Sequence, residues 1–201
     1  MTTVIGLTGG IGSGKSAVGD LLVEHGALLV DADVVAREVV VPGGPAFAPL
    51  VERFGQEILG PDGEIDRQRL ADVAFASKET ITALNDITHP AIGIAMIEQV
   101  AAAKETSDLV VVAVPLLTEL HRETLGLNAV VVVDCPTELA IERLVAFRSF
   151  PEHDARARVA AQMSREDRLK MADFVIENAG DLGSLAHQVD ALWPQLMALR
   201  D

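Results

Sequence analysis

At 201 residues, with 49% hydrophobic residues and a formal net charge of -14 at pH 7, the chain fits one compact α/β unit with at most a small excursion folded against it. That composition excludes a disordered or fibrous chain, and the overall acidity argues against nucleic acid or an anionic membrane as partner. A small anionic ligand stays open, because a local cluster of cations and backbone donors overrides the global sign.

The opening MTTVIGLTGG has no basic segment, and its apolar run is too short for a signal peptide or a membrane span. Cytoplasmic residence is the expectation. Thr3 to Thr8 is rich in branched residues and stops at Gly9-Gly10, the pattern of a buried parallel strand. Gly9-Gly10-Ile11-Gly12-Ser13-Gly14-Lys15-Ser16 then completes the pattern G-x-x-x-x-G-K-[ST], and a helix is predicted from Lys15 to His25. Glycines in such a passage let successive N–H groups turn inward, and the helix start presents its positive end. Lys15 adds a cation near the β and γ phosphates, and Ser16 offers an oxygen ligand to Mg²⁺. Gly10, Ile11, Gly12, Ser13, Gly14, Lys15 and Ser16 are therefore expected to hold the phosphates of a purine nucleoside triphosphate.

A second strand, Ala27 to Val30, ends at Asp31-Ala32-Asp33, with a helix starting near Val34. Either aspartate reaches the same sheet edge as the loop, where a carboxylate could orient and deprotonate an acceptor hydroxyl, cap the helix or hold magnesium-bound water. Pro42-Gly43-Gly44-Pro45 punctuates the chain. Helical patterns follow over Pro45–Phe54, over Asp66–Ala74 with Asp66 as cap, and over Ser77–Lys104, interrupted at His89-Pro90 where Pro90 opens a new helix. A largely helical insertion is thus expected between the second and third strands.

Buried strands are predicted at Asp108–Val114, closed by Pro115, and at Ala129–Val133, closed by Asp134-Cys135-Pro136. Cys135 is the only cysteine, so no intrachain disulfide forms, and its place after the valines reads as a buried, inert thiol. A helix at Thr137–Ala146, helical fragments through Phe147–Ala172 broken at Pro151, a strand at Phe174–Ile176 and a helix at Leu182–Leu199, kinked or shortened by Pro194, complete the chain. Five apolar strands separated by helices predict a parallel sheet covered on both faces, with ligands outside the carboxyl ends of its strands. Of the sixteen Lys and Arg residues, seven lie between Arg143 and Lys170: Arg143, Arg148, Arg156, Arg158, Arg165, Arg168 and Lys170. Some of these could compensate triphosphate charge when a lid closes; for any one of them a solvent-facing position is the ordinary alternative.

The segment IGLTGGIGSGKSAVGDLL, followed by Val30-Asp31-Ala32-Asp33 and Arg37, resembles the dephospho-coenzyme A kinase family. Matching residues continue in order at His89-Pro90, Pro115-Leu116-Leu117 with Glu119, Val133-Asp134-Cys135-Pro136, Arg143-Leu144, Arg148, Ala161-Gln162-Met163, and Ala172 to Ile176 with Asn178 and Gly180. The resemblance implies a P-loop NTPase fold in one kinase domain over 1–201. Its core would span about 1–41, 105–146 and 173–201, with a helical acceptor-binding subdomain at about 42–104 and a mobile lid at about 147–172. It also implies ATP as phosphoryl donor with Mg²⁺, and transfer to the ribose 3′-hydroxyl of dephospho-coenzyme A.

Carried over residue by residue, the resemblance gives Asp33 the role of base. Arg37, His89 and the turn of Pro115, Leu116, Leu117 and Glu119 would form the acceptor region, with Thr8 near the substrate. Arg148 would contact transferred or leaving phosphates from the lid, and Asn178 and Gly180 would shape an adenine-contacting loop. Two departures stand out. Thr118 occupies a place where members commonly have an aromatic or bulky residue, and Ala113 and Val114 replace the acidic residue that many carry there, which removes a carboxylate metal partner from the third strand. The loop alone is also compatible with a kinase for a nucleoside monophosphate or another small hydroxyl compound, or with a nucleotide-controlled switch. No expectation of oligomeric state follows from the sequence.

Overall fold

The computed structural model describes residues 2–199; Met1, Arg200 and Asp201, which fall within the expected core ranges, lie outside the described residues. Two compact units emerge, Met1–Asp31 with Val100–Asp201, and Ala32–Gln99.

The first unit is built on five strands, β1 (Thr3–Gly9), β2 (Leu28–Asp31), β3 (Leu109–Ala113), β4 (Ala129–Asp134) and β5 (Phe174–Glu177). They form one sheet in the order β2-β3-β1-β4-β5, every pair parallel. β1, β3 and β4 are buried along their whole lengths, which is why their sequences run apolar without alternation. Ile5, Leu7, Val111, Val131, Val133 and Ile176 face α1 (Lys15–Glu24) and α10 (Leu182–Ala198), which contribute Val18, Leu22, Leu185, Val189, Leu192 and Leu196. Each such side chain, fully withdrawn from water, contributes about 1.5–3 kcal/mol. On the other face Gly6 leaves room for Leu117 and Leu127, whose methyl groups would lie 2.5 and 2.8 Å from any added Cβ.

Leu117 and Leu127 flank α6 (Glu119–Leu125), a helix that the apolar pattern does not announce. Its start is a capping box in which Thr118 accepts from the His121 N–H, while His121 Nδ1 accepts from the Thr118 N–H. Histidine in the place usually held by Glu or Gln hides the signature. Gly126, at φ 62°, closes the helix. Burial holds the His121 imidazole below its ordinary pKa, keeping that nitrogen an acceptor. After β4, α7 (Thr137–Arg148), α8 (Glu152–Ala160) and α9 (Arg165–Lys170) fill the connection to β5, with Ile141, Leu144 and Ala155 in a small core of their own.

The second unit carries α2 (Ala32–Glu38), α3 (Phe47–Phe54), a single 3-10 turn at Gln56–Ile58 and α4 (Arg67–Ala74). Asp66 caps α4 by accepting from the Gln68 and Arg69 N–H groups, as its sequence predicts. One expectation is corrected by the helices. α5 (Lys78–Lys104) runs unbroken through Pro90, so His89-Pro90 is not a boundary. Proline in a helix interior costs roughly 3 kcal/mol, a local penalty that a 27-residue ladder absorbs. α10 likewise continues past Pro194 to Ala198, with Leu192 and Leu196 buried on either side of it. Among the described residues no helix is long and apolar enough to cross a membrane.

Candidate active site

The register of the sheet brings the carboxyl ends of all five strands to one edge: Asp31 pairs with Ala113, Gly9 with Val133, and Asp134 with Glu177. Residues 10–14 leave β1 at this edge and turn back into α1. The Ser13 N–H closes the turn on the Gly10 carbonyl at 3.0 Å. Gly12 and Gly14 hold φ of 78° and 88°, a region that side chains resist. A Cβ on Gly12 would meet the Ala140 carbonyl at 2.6 Å, and one on Gly14 would meet Asn178 Nδ2 at 2.1 Å. These two positions require glycine on both counts. Lys15 opens α1, largely buried, with Nζ 3.8 Å from the Asp31 carboxylate, while Ser16 is exposed beside it.

Residues distant in sequence brace this loop. The buried Asn178 donates through Nδ2 to the Ser13 carbonyl at 2.8 Å. Arg143 in turn donates to the Asn178 backbone carbonyl at 3.0 Å and to its Oδ1 at 3.4 Å. From the segment before α9, Gln162 Oε1 accepts from the Ile11 N–H at 2.8 Å. Ser13 Oγ is buried with no hydrogen-bond partner, and it lines a cavity of about 320 Å³ together with Gly10, Ile11, Thr137, Arg165 and Arg168.

The charges around the cavity follow from their neighbours. Asp134, at the end of β4, is buried, and Arg165 grips it with two hydrogen bonds of 2.7 and 2.6 Å. That fork holds the Asp134 carboxyl below the usual carboxylate range, against the opposing effect of burial. Burial pushes the Arg168 guanidinium below its ordinary pKa, yet a guanidinium keeps its proton at neutral pH. The Cys135 thiol is pushed up by burial, in keeping with the inert thiol expected there.

The remaining sequence-nominated residues fall in separate places. Thr8 is buried and donates to the Pro115 carbonyl at 3.4 Å, so it supports the turn ahead of α6. Pro115 and Leu116 are exposed in that turn, Leu117 is buried, and Glu119 is exposed at the start of α6. Gly180 is exposed just before Asp181, the cap of α10. Arg148 ends α7 with its surface exposed. In the second unit, Asp33 and Arg37 lie on the exposed part of α2, four residues apart and so on one helix face. Because α2 begins at Ala32, Asp33 stands in the first turn instead of capping it. His89 is exposed on α5. Sequence reasoning assigned no role to Asp134 or Gln162, although both lie in matched segments. The available signal was a carboxylate at a strand end followed by an excess of arginine.

A buried parallel sheet whose central strand enters a glycine-rich phosphate loop and a lysine-led helix defines a P-loop NTPase of the kinase type. The family model for dephospho-CoA kinase matches residues 3–184. The chain is 47% identical over 193 residues to the dephospho-CoA kinase of Streptomyces avermitilis, covering 96% of this chain and 93% of that one. Among solved structures, a Thermus thermophilus protein superposes with a TM-score of 0.80 at 31% identity, over 97% of this chain and 98% of that one. A dephospho-CoA kinase from Campylobacter jejuni follows at 0.70 and 26% identity, over 97% of each chain. The chain belongs to the dephospho-CoA kinase family.

Proposed function

We propose that this chain transfers the γ-phosphoryl group of ATP to the ribose 3′-hydroxyl of dephospho-coenzyme A, giving coenzyme A and ADP. The observation that carries this reading is the braced phosphate loop at the sheet edge, with Lys15 beside Asp31, in a chain that matches the family from residue 3 to residue 184.

Backbone N–H groups of the loop and the Lys15 ammonium hold the phosphates, and fixed donors of this kind need no reorganisation as charge develops. Asp31 is engaged with Lys15 at the end of β2. Family resemblance gives the base role to Asp33, in the first turn of α2. Asp33 takes the 3′-hydroxyl proton as the new O–P bond forms and the bond from the γ phosphorus to the β–γ bridging oxygen breaks, with ADP leaving. Arg37, His89 and the turn from Pro115 to Glu119 bind the acceptor. Segment 147–172 serves as a lid that limits water at the transfer site, with Arg148 contributing charge.

Among the described residues no group of three His, Cys, Asp or Glu side chains could hold a metal ion. Ser16, exposed at the start of α1, would offer its hydroxyl oxygen to a Mg²⁺ ion that comes with the nucleotide. Mg²⁺ held there would neutralise charge on the β and γ oxygens.

The test is formation of coenzyme A by purified protein given ATP and dephospho-coenzyme A. Magnesium-dependent product is expected, and its absence would overturn the assignment. Asp33→Asn should retain ATP binding while turnover falls on the order of 10²–10⁴-fold, the range of a lost general base; unchanged turnover would remove the base role.

A further inference from the structure

Arg165 occupies the first position of α9, where a cation is opposed by the helix dipole. Its guanidinium is nevertheless fixed, with Nε donating to Asp134 Oδ1 at 2.7 Å and Nη2 to Oδ2 at 2.6 Å. The carboxylate is almost wholly buried, at 7% exposure, whereas the Arg165 side chain is 49% exposed. Arg156 forms a comparable fork on Glu138, but there both side chains are about half exposed or more. The Asp134 fork is thus anchored in the sheet, and the Asp134 backbone carbonyl also accepts from the backbone N–H of Asn178, the residue whose side chain braces the loop.

Three residues beyond Arg165, on the same face of α9, stands Arg168. One of its Nη atoms donates to the Met163 carbonyl at 2.9 Å. The other lies 3.0 Å from where a Cβ on Gly10 would be, directly over the phosphate loop and facing the cavity. α9 has only six residues, none of them fully buried. Little apolar packing holds it, so its attitude is set by the polar contacts at its start.

We propose that Asp134 is a positioning residue for phosphoryl transfer: by gripping Arg165 at the end of β4 it orients α9 so that Arg168 delivers its charge to the phosphates held by the loop. This inference rests on the kinase reading above. Arg168 touches the triphosphate; Asp134 and Arg165 act through it.

The experiment is a double-mutant cycle on the full chain, reading kcat, the KM for each substrate, and ATP affinity by calorimetry, with folding checked by thermal melting. Asp134→Asn should lower kcat/KM for ATP about tenfold or more, as misplacement of a charge-stabilising group does, while the KM for dephospho-coenzyme A stays within about twofold. In an Arg168→Ala background the same change should cost less than about twofold further, because residues acting through one another are not additive. A full additional loss in that background would overturn the proposal. So would a lowered melting temperature with unchanged kinetics per folded enzyme. If Asp134→Asn does not fold, Arg165→Gln breaks the same fork from its exposed side and is put through the same cycle. Wild-type protein that makes no coenzyme A would sink the kinase reading instead, and the calorimetric cycle for ATP would still decide between Asp134 acting through Arg168 and Asp134 acting independently.

Discussion

The phosphate loop and the arginine-rich stretch from Arg143 to Lys170 both bring positive potential to the sheet edge, by opposite means. In the loop the donors are backbone N–H groups, and their geometry is imposed by glycines whose alternatives are sterically closed: Gly12 against the Ala140 carbonyl, Gly14 against Asn178. In the arginine stretch five guanidinium groups, those of Arg143, Arg156, Arg158, Arg165 and Arg168, are placed by side-chain or backbone partners from elsewhere in the chain. Arg156 pairs with Glu138 and Glu152 at the surface, and Arg158 lies over the Phe150 ring. Arg143 braces Asn178, Arg165 holds Asp134, and Arg168 covers Gly10. Backbone-encoded charge is a property of a short segment, whereas side-chain charge is a property of the tertiary structure.

The contrast can be broken most severely at the loop itself. Gly14→Ala combines an unfavourable φ with a 2.1 Å clash on Asn178, and ATP affinity measured by calorimetry should fall on the order of 100-fold or more, since strain and displacement act together. Near-normal affinity would mean that the loop is less rigidly specified than its neighbours suggest. Next in size is the brace. Asn178→Ala leaves the Ser13 carbonyl without its donor and should destabilise the fold by about 1–3 kcal/mol in denaturant titration, with a raised KM for ATP and little change for the acceptor.

A smaller effect should follow acidity. The Asp134 carboxyl titrates below its ordinary value in the folded chain. Its contribution to stability is therefore complete above the unfolded value of about 4 and is lost as pH falls through the lower folded value. The stability gap between wild type and Asp134→Asn should hold at neutral pH and close only in acid below about pH 4. Smallest of all, Arg156→Ala removes the exposed pairs with Glu138 and Glu152, which water and salt screen. Its melting temperature and kinetics should remain near those of the wild type; a large kinetic loss would place Arg156 among the arginines that serve the site.

The same division explains what was legible in the residues. β1, β3 and β4 are visible because burial on both faces leaves runs such as Leu109-Val110-Val111-Val112 with no polar interruption, while the partly exposed β2 and β5 are marked by short apolar runs between turn residues. The loop and the Asp66 cap were visible because their chemistry is local. α6 was hidden because its capping box uses His121. Pro90 misleads because a proline's penalty is read locally while the helix around it is stabilised over many residues. Seven basic residues could be counted, but which of them face Gly10 depends on Asp134, Met163 and Asn178, contacts that no spacing rule predicts.

β1 sits third of five, laddered to β3 on one side from Thr3 to Leu7 and to β4 on the other from Ile5 to Gly9. A strand clasped from both flanks does not open by fraying, so its amides should exchange with solvent only when the whole sheet comes apart. The loop inherits that anchorage at its first residue. On the proposed kinase reading, spent nucleotide leaves when what lies over the cradle withdraws, the cradle's own floor staying fixed.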